Sequence, residues 1–220
     1  MTSAQYAKDD DEVKTVGDLN APASQPPADR ALVVRFYAAA SPTQLFLTAA
    51  TQLAEARGDS LSANARNLAL ISMATNDSLV ASFAAKYHYD SWRPVTAIRG
   101  LIDDDNGKTA PDGNFTTFIG TPCFPSYPSN HASGSTASAE MARRIYGAAG
   151  QAIAVTATIA NVGPVTLKYT SLDQITDDVD DALVYGGIHF RFDQDGGSTL
   201  GRGVATYIYK NNLAPLHGAP

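Results

Sequence analysis

"PSNHASGSTASAEMARRIYG", residues 128–147, is the stretch on which the fold turns. The segment leading into it, "TPCFPSYPSNH", places three prolines within seven residues. Proline lacks a backbone donor and clashes with the preceding helical turn, so this approach must be extended. It opens directly into a helix whose first turns are Ala, Ser, Gly and Thr, and such a helix can be approached closely by its neighbours. Pro128 and Ser129 stand where loop becomes helix. The free N–H groups of that first turn, with the positive end of the helix dipole, favour an anion.

Outward from this helix the pattern stays mostly helical. Ser41-Pro42 sets an N-cap and a proline at the first helical position, and "TQLFLTAATQLAEAR" keeps helical spacing up to Gly58. A longer helix follows, capped by Asp59 or Ser60. Its expected apolar face is Leu61, Ala65, Leu68 and Ile71, continued by Leu79 and Phe83. Lys86 falls three residues after Phe83, so it either snorkels or meets an anion inside the fold. Pro94 interrupts, and "VTAIRGLI" can resume helix. Residues 151–170 are rich in Val, Ile and Thr around Asn-Val-Gly-Pro and read as a β-hairpin. Ser171 caps a helix toward Tyr185, and "TLGRGVATYIYKNNL" ends the chain with another. The expected fold class is all-α in the main, with that hairpin as a minor feature.

Composition bounds the function. A chain of 220 residues suits one core, and 44% hydrophobic content fits a soluble globular protein. A net charge of −6 and a pI near 5 exclude a dedicated nucleic-acid binder, which needs a broad basic surface. The single cysteine, Cys123, rules out an internal disulfide framework and leaves the compartment undecided. No run of 18 apolar residues is seen, so no membrane span is expected. The acidic "MTSAQYAKDDDEVK" has no export-signal character. Residues 1–30, with "KDDDE" and "APASQPPADR", read as a flexible or extended arm, and residues 31–220 as the folded domain. "DDDNGKTAPDGN" is a polar loop without EF-hand spacing.

Three clusters carry candidate chemistry. Lys86 and Arg93 in "KYHYDSWRP" pair a point charge with a bidentate fork, which suits a tetrahedral oxyanion. The bland alternative is a snorkelling lysine and a surface pair between Arg93 and Asp90. Ser129 and His131 in "PSNH" add a hydroxyl and a proton donor to a helix start, although Ser129 also makes an ordinary N-cap. His189 and Asp193 in "HFRFD" are four apart. On one helical face the carboxylate can fix the imidazole tautomer, leaving the other nitrogen as nucleophile or ligand. Such a pair also occurs as a plain helix-stabilising contact, and Gly186-Gly187 tilt the reading toward function by letting another backbone or a bulky anion come near. Together the clusters make an oxyanion-transfer site. A zinc hydrolase built on His131, His189 and Asp193 is a weaker alternative, because no zinc-motif spacing is present.

In this order, "KYHYDSWRP", "PSNH" and "GGIHFRFD" resemble the superfamily of type 2 phosphatidic acid phosphatases and vanadium-dependent haloperoxidases. Its pattern is Lys-x6-Arg-Pro, then Pro-Ser-Gly-His, then Ser-Arg-x5-His-x3-Asp. The wording of "AKYHYDSWRPVTAIRG" and "FPSYPSNHASG" is most similar to bacterial haloperoxidase-type proteins, and the resemblance runs from about residue 30 to residue 215. It implies a helical bundle. It implies that His189 is the vanadium ligand, or the phosphorus nucleophile in a phosphatase, with Asp193 orienting it and His131 as the acid-base residue. Lys86, Arg93, Ser129 and the Asn130 N–H would hold the oxyanion. The implied activity is halide oxidation by hydrogen peroxide with vanadate as cofactor. The alternatives are a cofactor-free acid phosphatase acting on a phosphoester through a phosphohistidine, and an oxyanion-binding relative without turnover. Paired bundles in the family make a homodimer the expected assembly. Two positions depart from the pattern. Asn130 replaces the motif glycine, and Ala182-Leu183 replaces Ser-Arg. A lost charged hydrogen bond of roughly 1.5–3 kcal/mol weakens anion affinity by one to two orders of magnitude unless a cation such as Arg191 or Arg144 substitutes.

Overall fold

The computed structural model describes residues 1–21, 27, 29–148 and 150–214. In chain order its elements are α1 (Ala4–Val16), α2 (Arg30–Ala39), α3 (Pro42–Arg57), α4 (Leu61–Tyr89), α5 (Pro94–Ile98), α6 (Asn130–Tyr146), β1 (Ile153–Ile159), β2 (Gly163–Tyr169), α7 (Leu172–Tyr185) and α8 (Arg191–Asn211). It is a mainly α bundle carrying one antiparallel hairpin, as expected, with Ile153 opposite Tyr169 and Ile159 opposite Gly163.

The small-residue helix α6 forms the centre. Residues from Ala132 to Ala139 are all buried, and α4, α8, α7 and α3 pack around it. Close approach is the reason for its composition. A Cβ added to Gly197 or Gly201 of α8 would collide with the carbonyl oxygens of Ser129 and Ser133. Hydroxyls bridge the seams: Thr75 to Ser138 at 2.6 Å between α4 and α6, and Thr136 to Ser198 at 3.0 Å between α6 and α8.

Helix α4 keeps part of its expected face, with Ile71 buried and Leu68 packed on the core, and departs from it elsewhere. Leu61 is 88% exposed, Ala65 is also exposed, and the buried line runs Asn67, Leu70, Ile71, Ala74, Thr75, Ser78, Ser82 and Lys86. Short polar side chains that bond across the seam outcompete the larger apolar ones for the tight interface with α6. By length and composition alone the stretch beginning with α4 is also apolar enough to cross a membrane. Here α4 serves as a core helix, packed on α6 and α8.

Local signals mark the helix ends. Pro42 opens α3 and left-handed Gly58 closes it; the Ser60 hydroxyl accepts from the Ala63 amide; Ser171 and Gln174 form a capping box at α7. The N-terminal arm is the main correction. Residues 4–16 form a helix with Tyr6 and Val13 buried, Tyr6 against the Phe190 ring at 5.5 Å, and Glu12 paired with Arg191 at 2.7 Å. Apolar contacts at two positions and an ion pair dock a segment whose average composition is that of a solvated arm. The Pro-rich part, at 22–26 and 28, lies outside the described residues.

Candidate active site

Four chain segments bring the site together. Lys86 comes from the last turn of α4. Left-handed Asp90 then ends that helix, and Arg93 is the extended residue before α5, as its position before Pro94 requires. Ser129 caps α6 and Asn130 and His131 form its first turn. His189 sits just ahead of α8, and Asp193 lies in the first turn of that helix. The His-Asp contact therefore arises from a helix cap and not from two positions on one helical face. Asp193 reaches back to the Phe190 amide at 3.0 Å, and the same oxygen, Oδ2, faces His189 Nδ1 at 2.9 Å.

On the other side of the His189 ring, Arg93 Nη1 approaches Nε2 at 3.0 Å. A guanidinium only donates, so Nε2 is the acceptor and Nδ1 carries the proton given to Asp193. Arg93 is locked by further bonds from Nε to the Phe124 carbonyl at 2.9 Å and from Nη1 to the Ile188 carbonyl at 2.8 Å. Its Nη2 is buried without a partner. Lys86 is fully buried and donates to the carbonyls of Pro125 and Ser126 at 2.9 and 2.7 Å, which leaves one of its three N–H bonds over. Both cations stack on the Phe124 ring, 5.3 Å from Lys86 Nζ and 5.0 Å from the Arg93 guanidinium carbon.

Electrostatics follow from this crowding. Burial, aided by Arg93, pushes the Lys86 ammonium down to about 7. Burial, with repulsion from Lys86 and Arg93, pushes His131 down to about 4. His189 is also held at about 4, by burial acting against the favourable pull of Asp193. Arg93, with an orphaned donor among the described residues, faces an unprotonated ring nitrogen, and Lys86, over the same Phe124 ring, has one N–H to spare. Such a donor set fits a tetrahedral oxyanion such as vanadate or phosphate. The Ser129 hydroxyl accepts from the Ala132 amide at 3.2 Å, so it is an N-cap whose own hydrogen remains to give. His131 and Asn130 line a cavity of about 150 Å³ with Pro42, Thr43 and Leu79.

Several sequence expectations change here. Leu183 is buried in α7, 3% exposed, and no cation replaces the motif arginine from the places proposed. Arg191 pairs with Glu12 and Asp181, and Arg144 with Glu140 and the Thr206 hydroxyl, so each is engaged elsewhere. Gly187 serves a backbone and not an anion: at φ +75°, a Cβ there would lie 2.5 Å from the Gly17 carbonyl oxygen just beyond α1. Among the described residues no three His, Cys, Asp or Glu side chains gather as a metal-holding group, which removes the zinc alternative. Sequence reasoning missed Phe124 and Ser126. The only signal for Ser126 was the repeated Pro-Ser of "FPSYPS".

Known proteins resemble this chain in sequence and in fold. A vanadium chloroperoxidase of Curvularia inaequalis is 34% identical over 88 residues, covering 37% of this chain and 14% of that protein. The crystal structure described as the first bacterial vanadium-dependent iodoperoxidase superposes with a TM-score of 0.76 at 22% identity, covering 94% of this chain and 49% of the other. A holo-type bacterial vanadium-dependent chloroperoxidase superposes with a TM-score of 0.71 at 18% identity, covering 93% and 47%. The chain thus spans about half the length of these solved structures. Residues 66–218 match the family model of the VCPO second helical-bundle domain, and the chain belongs to that family.

Proposed function

We propose that the site binds vanadate and serves a vanadium-dependent haloperoxidase activity, the oxidation of halide by hydrogen peroxide. The observation that carries this reading is the meeting of Arg93 Nη1 with the unprotonated Nε2 of His189 at 3.0 Å, beside the unpartnered Arg93 Nη2. His189 Nε2 would hold the vanadium, with Arg93 Nη1, which it accepts from here, turned to an oxygen of the anion. Arg93, Lys86, the Ser129 hydroxyl and the Asn130 N–H would hold its oxygens. When bound, vanadate supplies the electrophilic centre at which peroxide becomes reactive toward halide.

The remaining work belongs to the chain. Asp193 keeps the Nδ1 proton in place and so keeps Nε2 available. His131, neutral at pH 7 because burial and the nearby Lys86 and Arg93 disfavour its charge, can take a proton from an incoming oxygen; the cavity it lines is bounded by α3, α4 and α6 and is not lined by Lys86, Arg93 or His189. An anion bound near Lys86 and Arg93 offsets their repulsion and moves the His131 pKa upward, toward the range of a useful acid-base group. The names of the relatives favour peroxidase chemistry over a phosphatase, which would use the same Nε2 as nucleophile.

The test is a bromide oxidation assay with vanadate and peroxide, run beside phosphomonoester hydrolysis. Vanadate-dependent halogenation that His189→Ala abolishes, at least about 100-fold, is the expected result. Phosphate release inhibited by vanadate would replace this reading with the phosphatase, and binding of vanadate without either reaction would mark a relative without turnover.

A further inference from the structure

Asp193 is used unevenly. Its Oδ2 accepts from His189 Nδ1 at 2.9 Å, from the Phe190 amide at 3.0 Å and from the Ser126 hydroxyl at 2.6 Å, while its buried Oδ1 has no donor among the described residues. Ser126 is fully buried and is itself tied at three points. Its amide donates to the Ser91 carbonyl at 2.9 Å, its carbonyl accepts from Lys86 Nζ at 2.7 Å, and its Oγ stands 3.4 Å from His189 Nδ1. One residue thus touches the cation that faces the anion, the carboxylate that orients the histidine, and the histidine itself.

The protons of this network have one consistent arrangement. A Ser126 hydroxyl turned toward Nδ1 would need that nitrogen bare and the proton on Nε2, which would then confront the Arg93 Nη1 donor at 3.0 Å. Donation to Asp193 Oδ2 removes the conflict, because Nδ1–H and Ser126 O–H then share one acceptor and Nε2 stays unprotonated and accepts from Arg93. We infer that Ser126 is a positioning residue for the oxyanion site: through its hydroxyl it pins Asp193 Oδ2 and so holds His189 in the Nδ1–H tautomer. This rests on the proposed role of His189 as the anion-facing ligand.

The test reads tautomer and binding separately from turnover, on the full chain without vanadate. The His189 ring nitrogen resonances in ¹⁵N-labelled protein report the tautomer, and calorimetry with inorganic phosphate and with vanadate reports affinity. In the parent a single Nδ1–H tautomer is expected. Ser126→Ala should add a minor Nε2–H population to the tautomer that Arg93 and Asp193 still favour, and bind either anion ~3–10-fold more weakly, the size of one hydrogen bond. In an Asp193→Asn background the same substitution should change affinity less than twofold, since its action runs through the carboxylate. Ser126→Thr, which keeps the hydroxyl, should retain the parent tautomer, and thermal unfolding checks that each variant is folded. A Ser126→Ala protein with one tautomer and affinity within twofold of the parent overturns the assignment, as does a loss that persists undiminished in the Asp193→Asn background. If the parent binds neither anion, the oxyanion reading fails while the resonances still decide the role of Ser126.

Discussion

At residue scale the position that most alters the family site is 183. Leu183 lies one helical turn after Asp180, whose Oδ1 is buried without a partner, and its carbonyl accepts from the Ile188 amide. The Ile188 carbonyl in turn accepts from Arg93. Leu183 is therefore joined to the cage by two backbone links, while its side chain brings no charge. Leu183→Arg should tighten binding of inorganic phosphate ~10–100-fold, the worth of a charged hydrogen bond, and lower the melting temperature because a cation enters a buried position. Calorimetry and thermal unfolding check both signs. An unchanged affinity would place this position off the cage. Lys86, Arg93, Ser129, Asn130, His131, His189 and Asp193 could be proposed from the sequence because their spacing is similar to the family pattern. Ser126 and Phe124 could not, because the contacts that matter are a hydroxyl on a distant carboxylate and a ring beneath two cations from other segments.

At element scale the controlling feature is the seam between α6 and α8. Gly197 and Gly201 present no Cβ to α6, which brings the Ser129 end of α6 and the Asp193 end of α8 together; the Ser129 amide donates to the Asp193 carbonyl at 2.9 Å. Gly201→Ala forces the two helices apart and should cost ~1–3 kcal/mol in urea unfolding, with weaker anion binding as a consequence. Gly203→Ala, in the same helix with nothing within 4 Å of its added Cβ, should be neutral or stabilising by up to ~1 kcal/mol. Equal losses for the two would contradict a steric origin. Helices α3, α4, α7 and the hairpin were readable from caps, prolines and β-branched residues, signals contained in a few neighbouring residues. The face that α4 buries was readable only in part, because apolar periodicity ranks Leu61 above Ser78, and only the nearness of α6 reverses that order.

At the scale of the whole molecule, burial of acids links stability to pH. Asp180 is pushed up to about 7, chiefly by desolvation between α6, α7 and α8, with its Oδ2 accepting from Ser198 at 3.2 Å. The folded chain therefore holds this proton more tightly than the unfolded one. Its contribution to stability is complete below pH 3.8 and is lost as pH rises through about 7. His131 and His189, both lowered to about 4, act in the opposite direction, since unfolding lets them protonate below pH 6.5. Comparison with Asp180→Asn isolates the carboxyl. At pH 8 the variant should be more stable by on the order of 2–4 kcal/mol in urea unfolding, and the gap should narrow below pH 7 and close only near pH 3.8. A gap independent of pH would mean that Asp180 does not titrate in this range.

Sequence alone was enough for the mainly helical class, the hairpin and most helix ends, because each depends on local backbone chemistry. Tertiary structure decided the rest. It docked residues 4–16 against α7 and α8, where buried Tyr6 and Val13 outweigh an acidic average composition. It drew Arg191 and Arg144 into ion pairs away from the cage. It placed the His189 proton, since the tautomer is set by Arg93, Asp193 and Ser126, three residues from three different segments whose meeting no local pattern records.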